Sequence, residues 1–142
     1  MRQHGGGYPP GDPVADIELT LPARAENVAV VRHAIGGLGE ALDLDPQTLS
    51  DVKLAVTEAC TNVVVHAYDG GEGPMQVAAD VSPEHLSVTV RDEGRGIVPR
   101  PDSPGLGLGL PLIATLTESL ELGKDDRERT EVRMSFRLGD AP

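Results

Sequence analysis

The stretch from Leu54 to Tyr68 constrains this chain more than any other part of the sequence. Glu58, Asn62 and His66 recur in it every four residues, a spacing that on an α-helix separates neighbouring Cβ atoms by roughly 5–6 Å. The stretch therefore predicts a helix edged by a carboxylate, a carboxamide and an imidazole, a set suited to a proton, a metal ion and a phosphate. The alternative is a helix whose polar residues only border the core. The apolar residues on the adjoining face predict its buried side: Leu49, Val52, Val56, Cys60, Val63 and Ala67.

Charge and composition exclude several classes of protein. The 142 residues suit one domain, and the net charge of −11 without a basic stripe argues against direct binding to DNA or RNA. The single cysteine, Cys60, rules out a disulfide framework and is expected to be buried. No apolar run approaches the roughly 20 residues that a membrane span needs. With no secretory segment at the start either, we predict a cytoplasmic protein without membrane contact.

The first half of the chain predicts an arm, a strand and two helices. Residues 1–13 hold four glycines and three prolines and predict a flexible arm, followed by a single domain over residues 14–142. Polar and apolar residues alternate over 16–21, which predicts a strand. Apolar spacings of three and four predict a helix over 25–42, and Asp45-Pro46 predicts the start of the central helix, which ends near Tyr68.

The second half predicts two hairpins separated by a loop and a helix. Alternation over 75–81 and 86–90 predicts the first hairpin. Residues 97–104 contain three prolines and predict a loop, and residues 108–118 predict a third helix. Residues 120–122 and 132–138 predict the closing hairpin. This order of elements predicts an α+β fold in which helices cover one face of a single mixed or antiparallel sheet.

Two glycine-rich segments are candidates for ligand contact. Asp92 ends a strand and is followed by Gly94 and Gly96, so a carboxylate lies beside backbone that a ligand can approach closely. A carboxylate accepts hydrogen bonds, which suits an exocyclic amine such as that of adenine. The alternative is an ordinary turn at a strand end.

The second segment runs from Gly105 to Leu110, directly before the third predicted helix. Alternating glycines there let amide groups converge at a helix N-terminus, which is a phosphate-binding arrangement. The segment is neither a Walker loop nor a Rossmann fingerprint, because no Gly-Lys-Ser/Thr follows and no strand closely precedes it.

Together the three elements resemble the GHKL ATPase superfamily and its Bergerat nucleotide-binding fold. Within it, Glu58-Ala59-Cys60-Thr61-Asn62 and His66-Ala67-Tyr68 are similar to the serine-protein kinases that act as anti-sigma factors, as are residues 21–26 and 130–136. The resemblance covers about residues 16–138. It implies a two-layer α/β sandwich with a mixed sheet, a homodimer, and the use of ATP and Mg²⁺.

The resemblance also implies roles for individual residues. Asn62 would hold Mg²⁺ against the phosphates, and Glu58 would take the proton from an attacking serine hydroxyl. Asp92 would accept from the adenine amine near Thr130. Arg24 and Glu26 would lie near a surface that grips protein partners. The implied nucleotide-binding set is Asn62, His66, Asp92, Gly94, Gly96, Gly105, Gly107, Leu108, Gly109, Leu110 and Thr130.

The implied function is that of an ATP-dependent protein-serine kinase that phosphorylates a small anti-sigma-factor antagonist and sequesters a sigma factor. The alternative is a non-catalytic module that binds ATP or a partner. A sensor histidine kinase is disfavoured, because no helix with a phospho-acceptor histidine precedes the domain and Val65 replaces the usual lysine.

Three departures from the family pattern bear on this choice. Pro111 stands where the family often has a bulky residue, and we expect it in the first turn of the third helix. Arg129 stands where a glycine is usual, beside the implied adenine pocket. The loop over 97–104 is short, which leaves Arg95 and Arg100 as candidates for contact with the γ-phosphate.

Overall fold

The computed structural model describes residues 16–68, 71–94 and 104–138, with the backbone alone for 104–108. The predicted arm, Gly96, Arg95, Arg100 and most of the predicted loop lie outside the described residues. In chain order, the elements are β1 (Ile17–Pro22), α1 (Ala25–Ala41), α2 (Pro46–Asn62), a π-helical turn (Val63–Ala67), β2 (Pro74–Val81), β3 (His85–Asp92), α3 (Pro104–Leu116), β4 (Ser119–Lys124) and β5 (Thr130–Arg137).

The five described strands form one sheet in the order β1-β2-β3-β5-β4. All four pairings between them are antiparallel, which is one of the two arrangements that the sequence allowed. Val90 lies opposite Val77 of β2 and Val132 of β5. Directly opposed residues point to the same side of a sheet, so these three mark its apolar face.

The helices cover this apolar face, as the sequence predicts. α2 lies in the middle of the helical layer and packs against both α1 and α3. The opposite face of the sheet carries charged residues, including Arg91, Glu131 and Arg133. The largest fully buried side chains are Met75, Leu86, Ile113, Met134, Val31, Val52, Val56, Val63, Val88, Val90, Val132 and Cys60. Among the described helices, none combines the length and apolarity needed to cross a bilayer.

The start of α2 follows the prediction, whereas its end differs. The Asp45 carboxylate accepts from the backbone N–H groups of Gln47 (3.0 Å) and Thr48 (3.2 Å), which caps the helix. The predicted apolar stripe is buried or packs against the core. The α-helix ends at Asn62, however, and a π-helical turn continues the chain to Ala67.

The third helix begins earlier than predicted. α3 starts at Pro104, so the segment from Gly105 to Leu110 is helical backbone and the predicted turn before the helix is wrong. Proline is favoured in the first helical turn and leucine is a strong helix former, which offsets the cost of about 1 kcal/mol per glycine. Pro111 therefore lies in the interior of the helix and not in its first turn.

Candidate nucleotide site

Asp92 and Thr130 lie opposite each other where β3 ends and β5 begins. Both follow the alternation that places Val90 and Val132 on the apolar face, so both side chains point towards the helical layer. Only 2 % of Asp92 and 7 % of Thr130 are exposed. The antiparallel pairing of β3 with β5 thus brings together a carboxylate and a hydroxyl that are 38 positions apart in the sequence.

Burial dominates the electrostatics of Asp92. It raises the pKa of the carboxyl above its ordinary value, although the Gly94 N–H and Lys124 act in the opposite direction. The Gly94 N–H donates to Asp92 Oδ1 over 2.9 Å. This bond folds the chain back over the carboxylate, as in an Asx turn at the end of a strand.

Gly94 marks a close approach between this turn and the end of the central helical segment. A Cβ atom at Gly94 would lie 2.0 Å from the carbonyl oxygen of Ala67. Any larger side chain would push the turn away from the helix. The glycine is therefore required here by packing within the protein, a reason additional to the ligand access that the sequence suggested.

Asn62 lies at the end of α2 and is 5 % exposed. Gly109 of α3 packs directly against it, since a Cβ atom at Gly109 would lie 2.9 Å from Asn62 Nδ2 and 3.2 Å from Oδ1. The structure thus brings the glycine-rich segment to the predicted metal ligand. The contact is made by a helix and not by a loop.

Two buried polar atoms of the described site lack a hydrogen-bond partner, Asn62 Nδ2 and Thr130 Oγ1. An unpaired buried polar group costs about 1–3 kcal/mol, so such atoms call for an explanation. Both belong to residues that the resemblance assigns to the nucleotide. A bound nucleotide could pair them, and the Asn62 carboxamide oxygen is of the ligand type that Mg²⁺ accepts.

No group of three or more histidine, cysteine or acidic residues capable of holding a metal occurs in the described parts of the chain. A nucleotide-bound Mg²⁺ needs no such protein cage, because the phosphates supply several of its oxygen ligands. The residues present therefore fit Mg²⁺ held jointly by Asn62 and a nucleotide.

Glu58 lies one helical turn before Asn62 on α2 and is partly exposed. Within the described residues its carboxylate forms no hydrogen bond or ion pair. Glu58 therefore does not anchor α2 through an arginine of the described residues. The arrangement leaves a carboxylate available beside the buried carboxamide.

His66 lies in the π-helical turn that follows α2, where hydrogen bonds join residues five apart. No local pattern in the sequence signals this change of period, and the role of His66 stays a prediction.

The remaining members of the glycine-rich segment are incorporated in α3. Gly109 is buried, and Leu110 packs against the hydrophobic core. Gly105, Gly107 and Leu108 lie in the first two turns of the helix. The unpaired N–H groups of a helix start and its partial positive charge are both attractive to phosphate.

Arg129 is held by the carboxylate of Asp125. Its guanidinium donates to Asp125 Oδ2 over 2.7 Å, and its backbone N–H donates to Asp125 Oδ1 over 2.9 Å. It borders a small hollow of 40 Å³ together with Gln76, Arg91 and Asp92. The side chain that replaces the usual glycine is therefore fixed by an ion pair with Asp125.

Arg24, predicted to contact a partner, is already paired on the surface. Its guanidinium donates to both carboxylate oxygens of Glu72, over 3.0 and 2.9 Å. Both residues are exposed. Glu26 lies in the first turn of α1 and is also exposed. The sequence did not identify Glu72, because 48 positions separate it from Arg24.

Comparison with known families and sequences gives consistent matches. A family model described as a histidine kinase-like ATPase domain matches residues 21–136. The serine-protein kinase RsbW of Halalkalibacterium halodurans is 37% identical over 124 residues, which cover 77% of this chain and 76% of that protein. The serine-protein kinase RsbW of Bacillus cereus is 32% identical over 125 residues, covering 78% of each chain.

Two solved structures share the fold. The RsbU and RsbW domains of a Mycobacterium tuberculosis protein align with a TM-score of 0.67 at 21% identity, covering 86% of this chain and 31% of that one. The SiaB–SiaC complex of Pseudomonas aeruginosa aligns with a TM-score of 0.59 at 17% identity, covering 87% and 90%. At these identities the structures support the fold alone.

Proposed function

The chain belongs to the histidine kinase-like ATPase family and, within it, to the serine-protein kinases of the RsbW type, and we propose that it phosphorylates a small antagonist protein on serine and sequesters a sigma factor. Membership of this family shows that the chain uses ATP and is a protein-serine kinase. The identities of the phosphorylated protein and the sequestered factor, and the roles of individual residues, are parts of the proposal.

The nucleotide is held by residues from four elements. The Asp92 carboxylate accepts from the adenine amine, and Thr130 Oγ1 gains a partner near the base. Asn62 would hold Mg²⁺, which would neutralise charge on the phosphates. The glycine-rich start of α3 would face the phosphates. The two unpaired buried atoms of this site support the arrangement.

Phosphoryl transfer then requires a base and correct positioning more than covalent chemistry by the protein. The Glu58 carboxylate accepts the proton of the serine hydroxyl of the antagonist protein. The serine oxygen forms a bond to the γ-phosphorus, and the bond from that phosphorus to the bridging oxygen of ADP breaks. The products are phosphoserine, ADP and a protonated Glu58.

One observation carries the proposal: a carboxylate free of partners in the described residues lies one helical turn from a buried carboxamide with an unpaired Nδ2. A helix that only formed part of the core would need neither a carboxylate without partners nor a buried carboxamide with an unpaired nitrogen. A phosphoryl-transfer site needs a metal ligand and a base that can reach the attacking hydroxyl.

The wider proposal concerns partners and location. A homodimer, a sigma factor and an antagonist protein follow from the anti-sigma kinases that the sequence resembles. The exposed pair of Arg24 and Glu72 and the nearby Glu26 provide a charged surface for protein contact. A cytoplasmic location is part of the proposal, because sigma factors act on the RNA polymerase of the cytoplasm.

The test uses γ-labelled ATP, Mg²⁺ and candidate antagonist proteins with wild type and Glu58→Ala. Loss of a general base typically lowers the rate 10²–10⁴-fold. Glu58→Ala should therefore lose serine phosphorylation while it retains ATP binding and sigma-factor sequestration. Glu40→Ala is the matched control, since this exposed glutamate lies at the far end of α1.

Two results would contradict the proposal. An unchanged rate per folded molecule of Glu58→Ala, with a lower melting temperature, would assign Glu58 a structural role. A wild type that binds ATP and phosphorylates no antagonist would favour the non-catalytic binding module.

A further inference from the structure

The Tyr68 hydroxyl joins two strands at the edge of the candidate site. It donates to the carbonyl oxygen of Pro74 over 2.5 Å and accepts from the N–H of Glu93 over 2.8 Å. Pro74 begins β2, and Glu93 directly follows β3. One hydroxyl thus satisfies a carbonyl and an amide from segments that are 19 positions apart.

The hydroxyl replaces a rung of the β-ladder. The last opposed pair between β2 and β3 is Met75 with Asp92. Continued pairing would next oppose Pro74 and Glu93, the two residues that Tyr68 bridges instead. Direct pairing therefore ends at Asp92, and the chain beyond it is free to turn towards the helical layer.

The ring of Tyr68 has a fixed position in this arrangement. A Cβ atom at Gly73 would lie 2.2 Å from Tyr68 Cε1 and 2.3 Å from Cζ, so the ring lies directly on the backbone of Gly73. The ring also packs against the hydrophobic core. A hydroxyl on a ring held in this way is itself held in place.

The bridged amide lies in the middle of the turn that contains Asp92. On one side of Glu93 is the Asp92 carboxylate, and on the other is Gly94, whose N–H donates to Asp92 Oδ1. Gly94 in turn rests against the carbonyl oxygen of Ala67, the neighbour of Tyr68. The end of the central helical segment therefore contacts this turn at two points.

We propose that Tyr68 is a positioning residue for adenine recognition: its hydroxyl holds the turn of residues 92–94 so that the Asp92 carboxylate is directed at the exocyclic amine. The inference rests on the proposed function, because it takes Asp92 as the acceptor for adenine. A tyrosine that only filled the core would contribute to stability and leave the choice of base unaffected.

The test compares the affinities for ATP and for purine riboside triphosphate, which lacks the exocyclic amine. A lost hydrogen bond to a charged group costs about 1.5–3 kcal/mol, so wild type should prefer ATP roughly 10- to 100-fold. Tyr68→Phe keeps the ring and removes the hydroxyl. We expect it to lose most of this preference, because the Asp92 turn is no longer held.

The matched control is Ser82→Ala, at the opposite end of the same two strands. The Ser82 hydroxyl also makes two backbone bonds, donating to the His85 carbonyl (3.2 Å) and accepting from its N–H (3.1 Å). Its removal should leave the preference for ATP unchanged. Replacement of Tyr68 with 4-aminophenylalanine, which returns a polar group to the ring, should restore the preference and provides a second variant if Tyr68→Phe does not fold.

The outcomes separate this inference from the proposed function. A wild type without any preference for ATP contradicts Asp92 as the adenine acceptor, and the inference fails with it. If wild type prefers ATP, two results overturn the inference alone. One is a folded Tyr68→Phe that keeps the preference for ATP, and the other is a 4-aminophenylalanine variant that does not show this preference.

Discussion

At the scale of single residues, the candidate site contains the polar groups that a folded core ordinarily avoids. Asn62, Asp92 and Thr130 are three of the four buried polar or charged residues of the described chain. Two of them carry an unpaired atom, and burial raises the pKa of the third. Such groups are costly unless something pairs them, which is the expected property of residues that contact a bound ligand.

Replacement of Asp92 with asparagine should separate binding from stability. The introduced carboxamide would keep an oxygen for the Gly94 N–H but would lack the charge that accepts from the adenine amine. We expect ATP affinity to fall roughly 10- to 100-fold, corresponding to about 1.5–3 kcal/mol. Calorimetric titration with ATP and Mg²⁺ measures the change, and an unaltered affinity would exclude Asp92 from the site.

The raised pKa of Asp92 adds a pH dependence with a defined sign. A carboxyl whose pKa is higher in the folded state stabilises the fold at low pH, and this contribution is lost as the pH rises through the folded-state pKa. The free energy of unfolding of nucleotide-free wild type should therefore decrease relative to that of Asp92→Asn as the pH rises above 3.8, the ordinary pKa of an aspartate. Denaturant unfolding at a series of pH values measures this difference. A difference in the free energy of unfolding that does not change with pH would contradict the assignment.

Arg24 and Glu72 allow a test of the partner surface. If a sigma factor binds Arg24 through a carboxylate, it competes with Glu72 for the guanidinium. Glu72→Gln should then strengthen the complex, whereas Arg24→Glu should weaken it, and neither should change ATP affinity. Surface pair energies are small and depend on salt, so pull-down and titration are best made at low ionic strength. A parallel loss of ATP binding in Arg24→Glu would indicate misfolding.

At the scale of elements, Pro111 divides α3. A proline inside a helix donates no hydrogen bond to the carbonyl four residues earlier, which here is that of Gly107. The N–H groups of residues 108–110 are used within the helix, and they become available to phosphate only if this part unwinds. Pro111 would then occupy the first position of a shorter helix, where proline is favoured.

Pro111→Ala should therefore stabilise α3 and weaken ATP binding. An interior proline costs about 3 kcal/mol or more, so the melting temperature of the nucleotide-free protein should rise. ATP affinity should fall, because unwinding the glycine-rich segment becomes more costly. Calorimetry and thermal unfolding measure both effects, with Pro83→Ala in the distant β2–β3 turn as the control. An unchanged affinity would mean that α3 binds phosphate as an intact helix.

The sequence predicted those elements that depend on local patterns. Alternating residues marked the strands, and Asp45-Pro46 marked the start of α2, because alternation and capping involve only near neighbours. The start of α3 was missed, since Gly105 and Gly107 favoured a turn whereas Pro104 and the leucines favoured a helix. The π-helical turn was missed because Val63–Ala67 has no composition that distinguishes it from an α-helix.

At the scale of the whole molecule, the strand order could not be predicted from the sequence, and neither could the long-range side-chain pairs. β5 pairs with β3 and so lies between β3 and β4, an arrangement that no local pattern encodes. The pair Arg24–Glu72 depends on the pairing of β1 with β2, and the pair Tyr68–Glu93 depends on the contact of the central helical segment with the end of β3. The candidate site was predictable as a set of residues from its motifs, whereas the contact of Gly109 with Asn62 required the fold.

The most direct test of the account is a calorimetric titration of the wild-type protein with ATP, made with Mg²⁺ and again with a chelator. Asn62 joins the metal to the protein in this account, so ATP should bind with Mg²⁺ and bind more weakly without it. Asn62→Ala should weaken Mg²⁺-dependent binding roughly 10- to 100-fold, while thermal unfolding shows that it remains folded. The absence of any ATP binding by wild type in the presence of Mg²⁺ would contradict the account.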